Sequence, residues 1–293
     1  MYSQMPGFAY TYKSPLRYPG GKQRDVRFLG QYLQSCGEFR EPFLGGGSVL
    51  LYALKHELAQ KYWGSDLNPA VFGFWQQVKT DANGLGDRAW ELRQPYDGPR
   101  KNSPEWQAFR QQFTQTLNAL PQQPLDQAAR FFILNRSTSG GATESGGLTA
   151  GAYCDRFTAS SITTLKALQG RLNAVTFTNL DYANLLSKPG ADVFIFLDPP
   201  YLSAERSGLY GKSGNLHRGF DHARLAQTLR DCQHPWLMTI DDCQEVRQLY
   251  NWAHQQPWQK SYGMTNTGGR KSKRGAELLV ASFPFDRWSQ PRT

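Results

Sequence analysis

The sequence predicts an α/β protein: a doubly wound, mostly parallel sheet with an antiparallel C-terminal strand, interrupted by a smaller, mostly helical inserted lobe. Three observations carry this. Uninterrupted apolar runs, above all Val193–Leu197, read as strands buried on both faces, as in a parallel sheet. They alternate with stretches of helical period, as βαβ units require. Between about residues 82 and 165 that rhythm stops, and Gln, Pro, Trp and Gly become frequent.

Taken in order, the chain opens on a loop ending in Pro19-Gly20-Gly21. A helix follows over Asp25–Leu33, with Val26, Leu29 and Leu33 on one face. Phe39–Phe43 reads as a short strand, Val49–Leu58 as a helix and Lys61–Asp66 as the second strand. Within the interruption, Gln107–Leu120 is a polar helix, Phe131–Arg136 an apolar island and Ser139–Gly147 a loop or hairpin. The rhythm resumes with strands at Ala174–Thr178, Val193–Leu197 and Trp236–Ile240, and a helix at Asp221–Cys232. Gln259–Thr265 and Glu277–Phe283 then read as two antiparallel strands around a basic, glycine-rich loop. The expected organisation is a core of residues 13–81 and 166–285 with residues 82–165 inserted.

Composition narrows the function. A hydrophobic fraction of 39% with no long uncharged apolar run fits a soluble protein and excludes a bilayer-spanning helix. The start, Met1-Tyr2-Ser3-Gln4-Met5-Pro6-Gly7, lacks a basic stretch followed by an apolar one, so no signal peptide and a cytoplasmic location are expected. Cys36, Cys154, Cys232 and Cys243 are scattered and should be free thiols. The histidines His56, His217, His222, His234 and His254 show no ligand spacing, so no metal is expected. A net charge of +9 favours polyanionic partners.

Two segments carry the chemistry. Asp198-Pro199-Pro200-Tyr201 directly follows the run Val193–Leu197. Its prolines cannot continue the ladder, so they end the strand and present an acid and an aromatic at its carboxyl end, where doubly wound sheets bind ligands. Glu41-Pro42-Phe43-Leu44-Gly45-Gly46-Gly47-Ser48 lies between a strand and a helix, where glycines permit a sharp turn and close ligand approach. Asp66 ends the next strand. It either accepts from two ribose hydroxyls or caps the helix entered through Asn68-Pro69.

Asp-Pro-Pro-Tyr in this setting resembles the catalytic motif of the Dam-like, α-class adenine-N6 DNA methyltransferases. The order of the other motifs matches that family from about residue 13 to residue 284: Arg17-Tyr18-Pro19-Gly20-Gly21-Lys22, the Phe-x-Gly-x-Gly loop, Asp66, an insert, Asp181-Tyr182 and Asp198–Tyr201. Arg156-Phe157-Thr158, Phe220-Asp221-His222 and Glu277-Leu278-Leu279-Val280 are secondary matches. The resemblance implies a class I methyltransferase-like fold and S-adenosylmethionine as cofactor. Tyr18, Lys22, Pro42, Phe43, Gly45, Gly47, Ser48, Asp66, Asn68, Asp181, Tyr182 and Asp198 would bind it. Tyr18 stands where the best-known members carry tryptophan.

The implied substrate is an adenine amine in double-stranded DNA, flipped out of the helix. The insert would read sequence, with Arg130, Asn135, Arg136, Ser137 and Thr138 as candidate contacts. Lys212, in the loop Ser203–Arg218, and Arg270, Lys271 and Lys273 would approach the DNA from elsewhere. A monomer suffices for flipping one base. The cytosine N4 amine is the alternative substrate, although that chemistry more often goes with Ser at the position of Asp198; a catalytically silent DNA-binding fold is the alternative class. Carbon-5 methylation of cytosine needs a cysteine nucleophile, commonly after proline, and no cysteine here follows a proline.

Overall fold

The computed structural model describes residues 12–96, 98, 102–141, 147–202, 219–260 and 275–288 of the chain. Seven strands form one sheet: β1 (Cys36–Glu41), β2 (Ala59–Ser65), β3 (Val175–Thr178), β4 (Val193–Leu197), β5 (Trp236–Asp241), β6 (His254–Lys260) and β7 (Gly275–Ala281). Their order is β3-β2-β1-β4-β5-β7-β6. The first five run parallel, and β7 is antiparallel to both β5 and β6. The direction of winding reverses between β1 and β4, which creates a crevice at the carboxyl ends of those strands. This is the doubly wound, mostly parallel sheet with antiparallel C-terminal strands that the sequence predicts.

Every residue of β4 is buried, which explains its unbroken apolar run. Phe194 and Phe196 join a cluster with Phe39, Leu51, Phe74 and Val78 on one face. Val193, Ile195 and Leu197 join Leu186, Leu225, Leu229 and Met238 on the other. Alternation along the strand sends neighbours to opposite faces, and each buried side chain contributes about 1.5–3 kcal/mol.

The helices are α1 (Val26–Leu29), α2 (Ser48–Lys55), α3 (Pro69–Leu92), α4 (Pro104–Asn118), α5 (Pro124–Ser137), α6 (Ala150–Arg156), α7 (Ala159–Lys166), α8 (Tyr182–Ser187), α9 (His222–Asp231) and α10 (Gln244–Leu249). Asn68, with Pro69 at the first helical position, caps α3 through a 2.8 Å bond from the Ala70 N–H. Asp221 caps α9 in the same way, accepting from Arg224. α3 crosses the expected core–insert boundary and loses helical geometry at Asp81 (φ −156°, ψ 84°). Phe74 of α3 packs against Phe131 and Phe132 of α5, so α5 lies in the same cluster as one face of the sheet.

Several expected elements shift. The first helix is cut to Val26–Leu29, and Gly30 ends it. β1 covers Cys36–Glu41 rather than Phe39–Phe43, since Pro42 cannot extend the ladder. Phe131–Arg136 is the last part of a 14-residue helix, not an isolated island. β6 lies at His254–Lys260, earlier than the expected Gln259–Thr265. It is the edge strand, where Pro257 is tolerated. Of the loop after α5, Ser139–Gly141 form a 3₁₀ turn and Thr138 bridges to Leu148; Glu144 lies outside the described residues. So do the loop Ser203–Arg218 and the basic loop between β6 and β7.

One side chain ties β1 to the segment before β4. Arg40, only 1% exposed, donates to Glu38 at 2.8 Å and to the carbonyls of Leu185, Lys188 and Pro189 at 2.7, 2.6 and 3.3 Å. Arg40→Met leaves these acceptors without their donor. The expected cost is about 3 kcal/mol or more, read as a lower urea midpoint.

Candidate active site

The turn after β4 is clamped from three directions. Lys22, 2% exposed, places its ammonium 2.6 and 2.7 Å from the two oxygens of Asp198 and 5.1 Å over the Tyr201 ring. The Thr239 hydroxyl, on β5, donates to Asp198 Oδ1 at 2.8 Å. The Tyr201 hydroxyl donates to Glu277 Oε2, on β7, at 2.9 Å. Asp198 Oδ1 therefore accepts two protein hydrogen bonds and Oδ2 one, and Oδ2 keeps acceptor capacity for an outside donor. Burial, with Asp198 and Glu277 beside it, pushes the Tyr201 hydroxyl well above its usual pKa, so it stays a donor.

Across the switch point lies the glycine loop that follows β1. Gly45 and Gly47 have φ of +44° and +62°, a region costly for residues with a Cβ. A Cβ on Gly45 would stand 2.7 Å from the Tyr18 ring, and one on Gly47 would stand 2.8 Å from Trp75. The Trp75 indole N–H fixes the loop by donating to the Gly45 carbonyl at 2.9 Å. Pro42 and Ser48 are buried at its base. Glu41 accepts from the Leu50 N–H at 2.7 Å, and burial raises its carboxyl pKa well above the usual range.

Asp66 faces the loop from the end of β2. Its Oδ2 accepts from the Gly45 N–H at 2.8 Å and its Oδ1 from the Asn68 N–H at 2.9 Å. Asn68 is the helix cap, so the carboxylate of Asp66 is not needed for that purpose. Desolvation raises its pKa to about 6, against the lowering effect of those two N–H donors. Leu67 and Leu180 are exposed beside it, at 53% and 40%. A carboxylate with spare lone pairs, flanked by exposed apolar side chains, fits a sugar diol carrying a flat base.

Asp181 caps α8 by accepting from the Ala183 N–H, and it pairs with Arg224 at 2.8 and 3.1 Å. Tyr182 stacks on Phe43 at 5.4 Å, with Phe220 at 5.7 Å from Phe43 and 5.8 Å from Tyr182. The structure thus groups Tyr18 with the glycine loop and Asp66, Lys22 with Asp198 and Tyr201, and Phe43 with Tyr182.

The candidate DNA contacts fare differently. Asn135, Ser137 and Thr138, expected as DNA contacts, are at most 1% exposed. Asn135 instead exchanges hydrogen bonds with the Arg17 backbone, accepting at 2.8 Å and donating at 3.0 Å, and so joins α5 to the segment carrying Tyr18 and Lys22. Arg136 is half-buried. It donates to the carbonyls of Arg156 and Pro15, and desolvation lowers its pKa to about 10. Arg130 reaches Asn118 at the surface. Lys212, Arg270, Lys271 and Lys273 lie outside the described residues. Sequence reasoning missed Thr239 altogether and met Glu277 only as part of a secondary match; a polar residue inside an otherwise apolar strand was the available signal. Among the described residues no cluster of metal-ligating side chains occurs, and no helix is long and apolar enough to cross a membrane.

A family model described as D12 class N6 adenine-specific DNA methyltransferase matches residues 18–264. A DNA N-6-adenine-methyltransferase of Escherichia phage P1 is 25% identical over 246 residues, which are 82% of this chain but 31% of that protein. A DNA adenine methylase of Vibrio cholerae is 24% identical over 281 residues, covering 92% of this chain and 95% of that one. A type II methyltransferase of Paramecium bursaria Chlorella virus NC1A is 23% identical over 272 residues, covering 88% and 94%. The chain therefore spans about a third of the phage relative and nearly all of the other two.

Proposed function

The chain belongs to the D12 class N6 adenine-specific DNA methyltransferase family, and from that premise we propose that it methylates the exocyclic N6 amine of adenine in DNA with S-adenosylmethionine as donor. The observation that carries this is the Asp198–Tyr201 turn, held by Lys22 and Thr239 across the switch-point crevice from the glycine loop and Asp66.

Tyr18, the loop Phe43–Gly47, Asp66 and the Phe43–Tyr182 aromatic group would hold the donor. Bound there, S-adenosylmethionine supplies an electrophilic methyl on a positively charged sulfur. The chain's own residues prepare the amine, whose lone pair is delocalised into the purine. Asp198 Oδ2 accepts one amine hydrogen and the Pro199 carbonyl a second, which turns the nitrogen lone pair towards the methyl carbon. Tyr201 offers its ring face to the base. Once the amine has taken the methyl, its surplus proton would leave through Asp198 or solvent. The gain comes from positioning and electrostatic preorganisation, with no covalent enzyme intermediate.

A base in a duplex must leave the stack to reach this crevice, at a cost of a few kcal/mol. The lobe of residues 82–165 is proposed to read sequence, with Arg130 and Arg136 on its accessible surface, and one chain is expected to act alone.

Incubation with unmethylated DNA and S-adenosylmethionine, followed by nucleoside mass spectrometry, should yield N6-methyladenine. N4-methylcytosine would replace the proposed substrate, and no methylated base would refute the activity. A second expectation concerns pH. Ionised Asp66 accepts from both ribose hydroxyls, whereas its protonated form loses acceptor capacity, so binding favours the anion. Cofactor affinity should then be full above about pH 6 and fall as pH drops through that value. Calorimetric titration at pH 5 and pH 8 checks this, and the Asp66→Asn variant should bind weakly at both.

A further inference from the structure

The Asp198–Tyr201 turn is held by side chains that belong to neither the turn nor the glycine loop. β5 lies beside β4, with Leu197 opposite Met238, so Thr239 falls next to Asp198. β7 lies beside β5, with Asp241 opposite Glu277. Thr239 is fully buried and Glu277 1% exposed. Asp241 adds a third hold, accepting from the Leu202 N–H at 3.1 Å. Two polar side chains buried in central strands weaken a sheet unless they are matched, and valine would fill the place of Thr239 with no hydroxyl to satisfy.

Resting on the reading of the site as a methyl-transfer centre, we propose that Thr239 and Glu277 are positioning residues for the reaction. Thr239 commits Asp198 Oδ1, leaving Oδ2 to receive the substrate amine. Glu277 fixes the ring plane of Tyr201 on which the target base stacks.

Among the described residues, Asp198 Oδ1 takes the Lys22 ammonium and the Thr239 hydroxyl, whereas Oδ2 takes Lys22 alone. Without Thr239 the two oxygens become equivalent towards an incoming donor, and the carboxylate loses its rotational reference. The Tyr201 ring could turn about its side-chain bonds, but its hydroxyl is tied at 2.9 Å to a carboxylate buried in the next strand but one. A hydroxyl-to-carboxylate bond is the stronger kind, and here it points the polar end of the tyrosine into the sheet. One face of the ring lies under the Lys22 ammonium at 5.1 Å, and the opposite face is the one proposed for stacking. Misplacing a reacting group by about 1 Å costs on the order of a hundredfold in rate, so such holds matter even without touching substrate.

The test uses the full chain in single-turnover transfer of labelled methyl from S-adenosylmethionine to unmethylated DNA, with cofactor affinity and thermal unfolding measured alongside. Thr239→Val should slow transfer at least tenfold with cofactor affinity within twofold, and Thr239→Ser should restore the rate to within threefold. Glu277→Leu should slow transfer comparably, and Glu277→Gln, whose amide oxygen still accepts from Tyr201, should recover it. Because Glu277 acts through the hydroxyl, Glu277→Leu should add no further loss in a Tyr201→Phe background. If Glu277→Leu does not fold, Tyr201→Phe breaks the same bond from the other side and should show the same loss. Valine or leucine variants with wild-type rates, losses that add in the double variant, or serine and glutamine variants no better than valine and leucine would overturn the proposal. A wild-type chain that transfers no methyl to DNA would instead refute the reading of the site on which it rests.

Discussion

The contact between Lys22 and Asp198 is the interaction on which the site depends. It joins residues 176 positions apart and closes the segment before β1 onto the end of the central strand. A lysine 2% exposed has lost most of its hydration, and the Asp198 carboxylate together with the Gly20 carbonyl, 3.0 Å away, offsets that loss. With Lys22 fixed at one end and Asn135 holding Arg17 at the other, the segment between them lays Tyr18 on the glycine loop. One ion pair thus aligns the two walls of the crevice, and α5 is fastened to the same segment.

The topology decides where such a contact can form. The chain winds outward from β1 to β3 and then restarts at β4 on the other side of β1, so two loops diverge above adjacent strand ends. One becomes the glycine loop bonded to Asp66, and the other the Asp198–Tyr201 turn. The strands beyond β4 add Thr239 from β5 and Glu277 from β7, so both hydrogen-bond to the Asp198–Tyr201 turn.

Much of this was legible in the sequence where the signal is local. β4 falls where its apolar run predicts because burial on both faces leaves no other pattern, and α9 begins after Asp221 because that residue caps it. β6 was misplaced because Gln255, Gln256 and Pro257 look unlike a strand, and only its edge position makes them acceptable. The motif order singled out Asp66, Lys22 and Asp198, whose side chains the structure places about the ends of β2 and β4. The partners of Asp198 and Tyr201 could not be read, since they depend on the registers of β5 and β7, which no local pattern encodes. Asn135, Ser137 and Thr138 looked like polar recognition residues for the same reason: their burial comes from packing across the chain.

The central claim is that Asp198 prepares the amine while other residues hold the donor. The most direct measurement compares wild type with Asp198→Ala for labelled methyl transfer to DNA and for equilibrium binding of S-adenosylmethionine in one preparation. The expected result is that transfer falls by about a hundredfold to a thousandfold, as for loss of a preorganised polar group at a reaction centre, and far more than cofactor affinity does. Transfer by Asp198→Ala at the wild-type rate would contradict it.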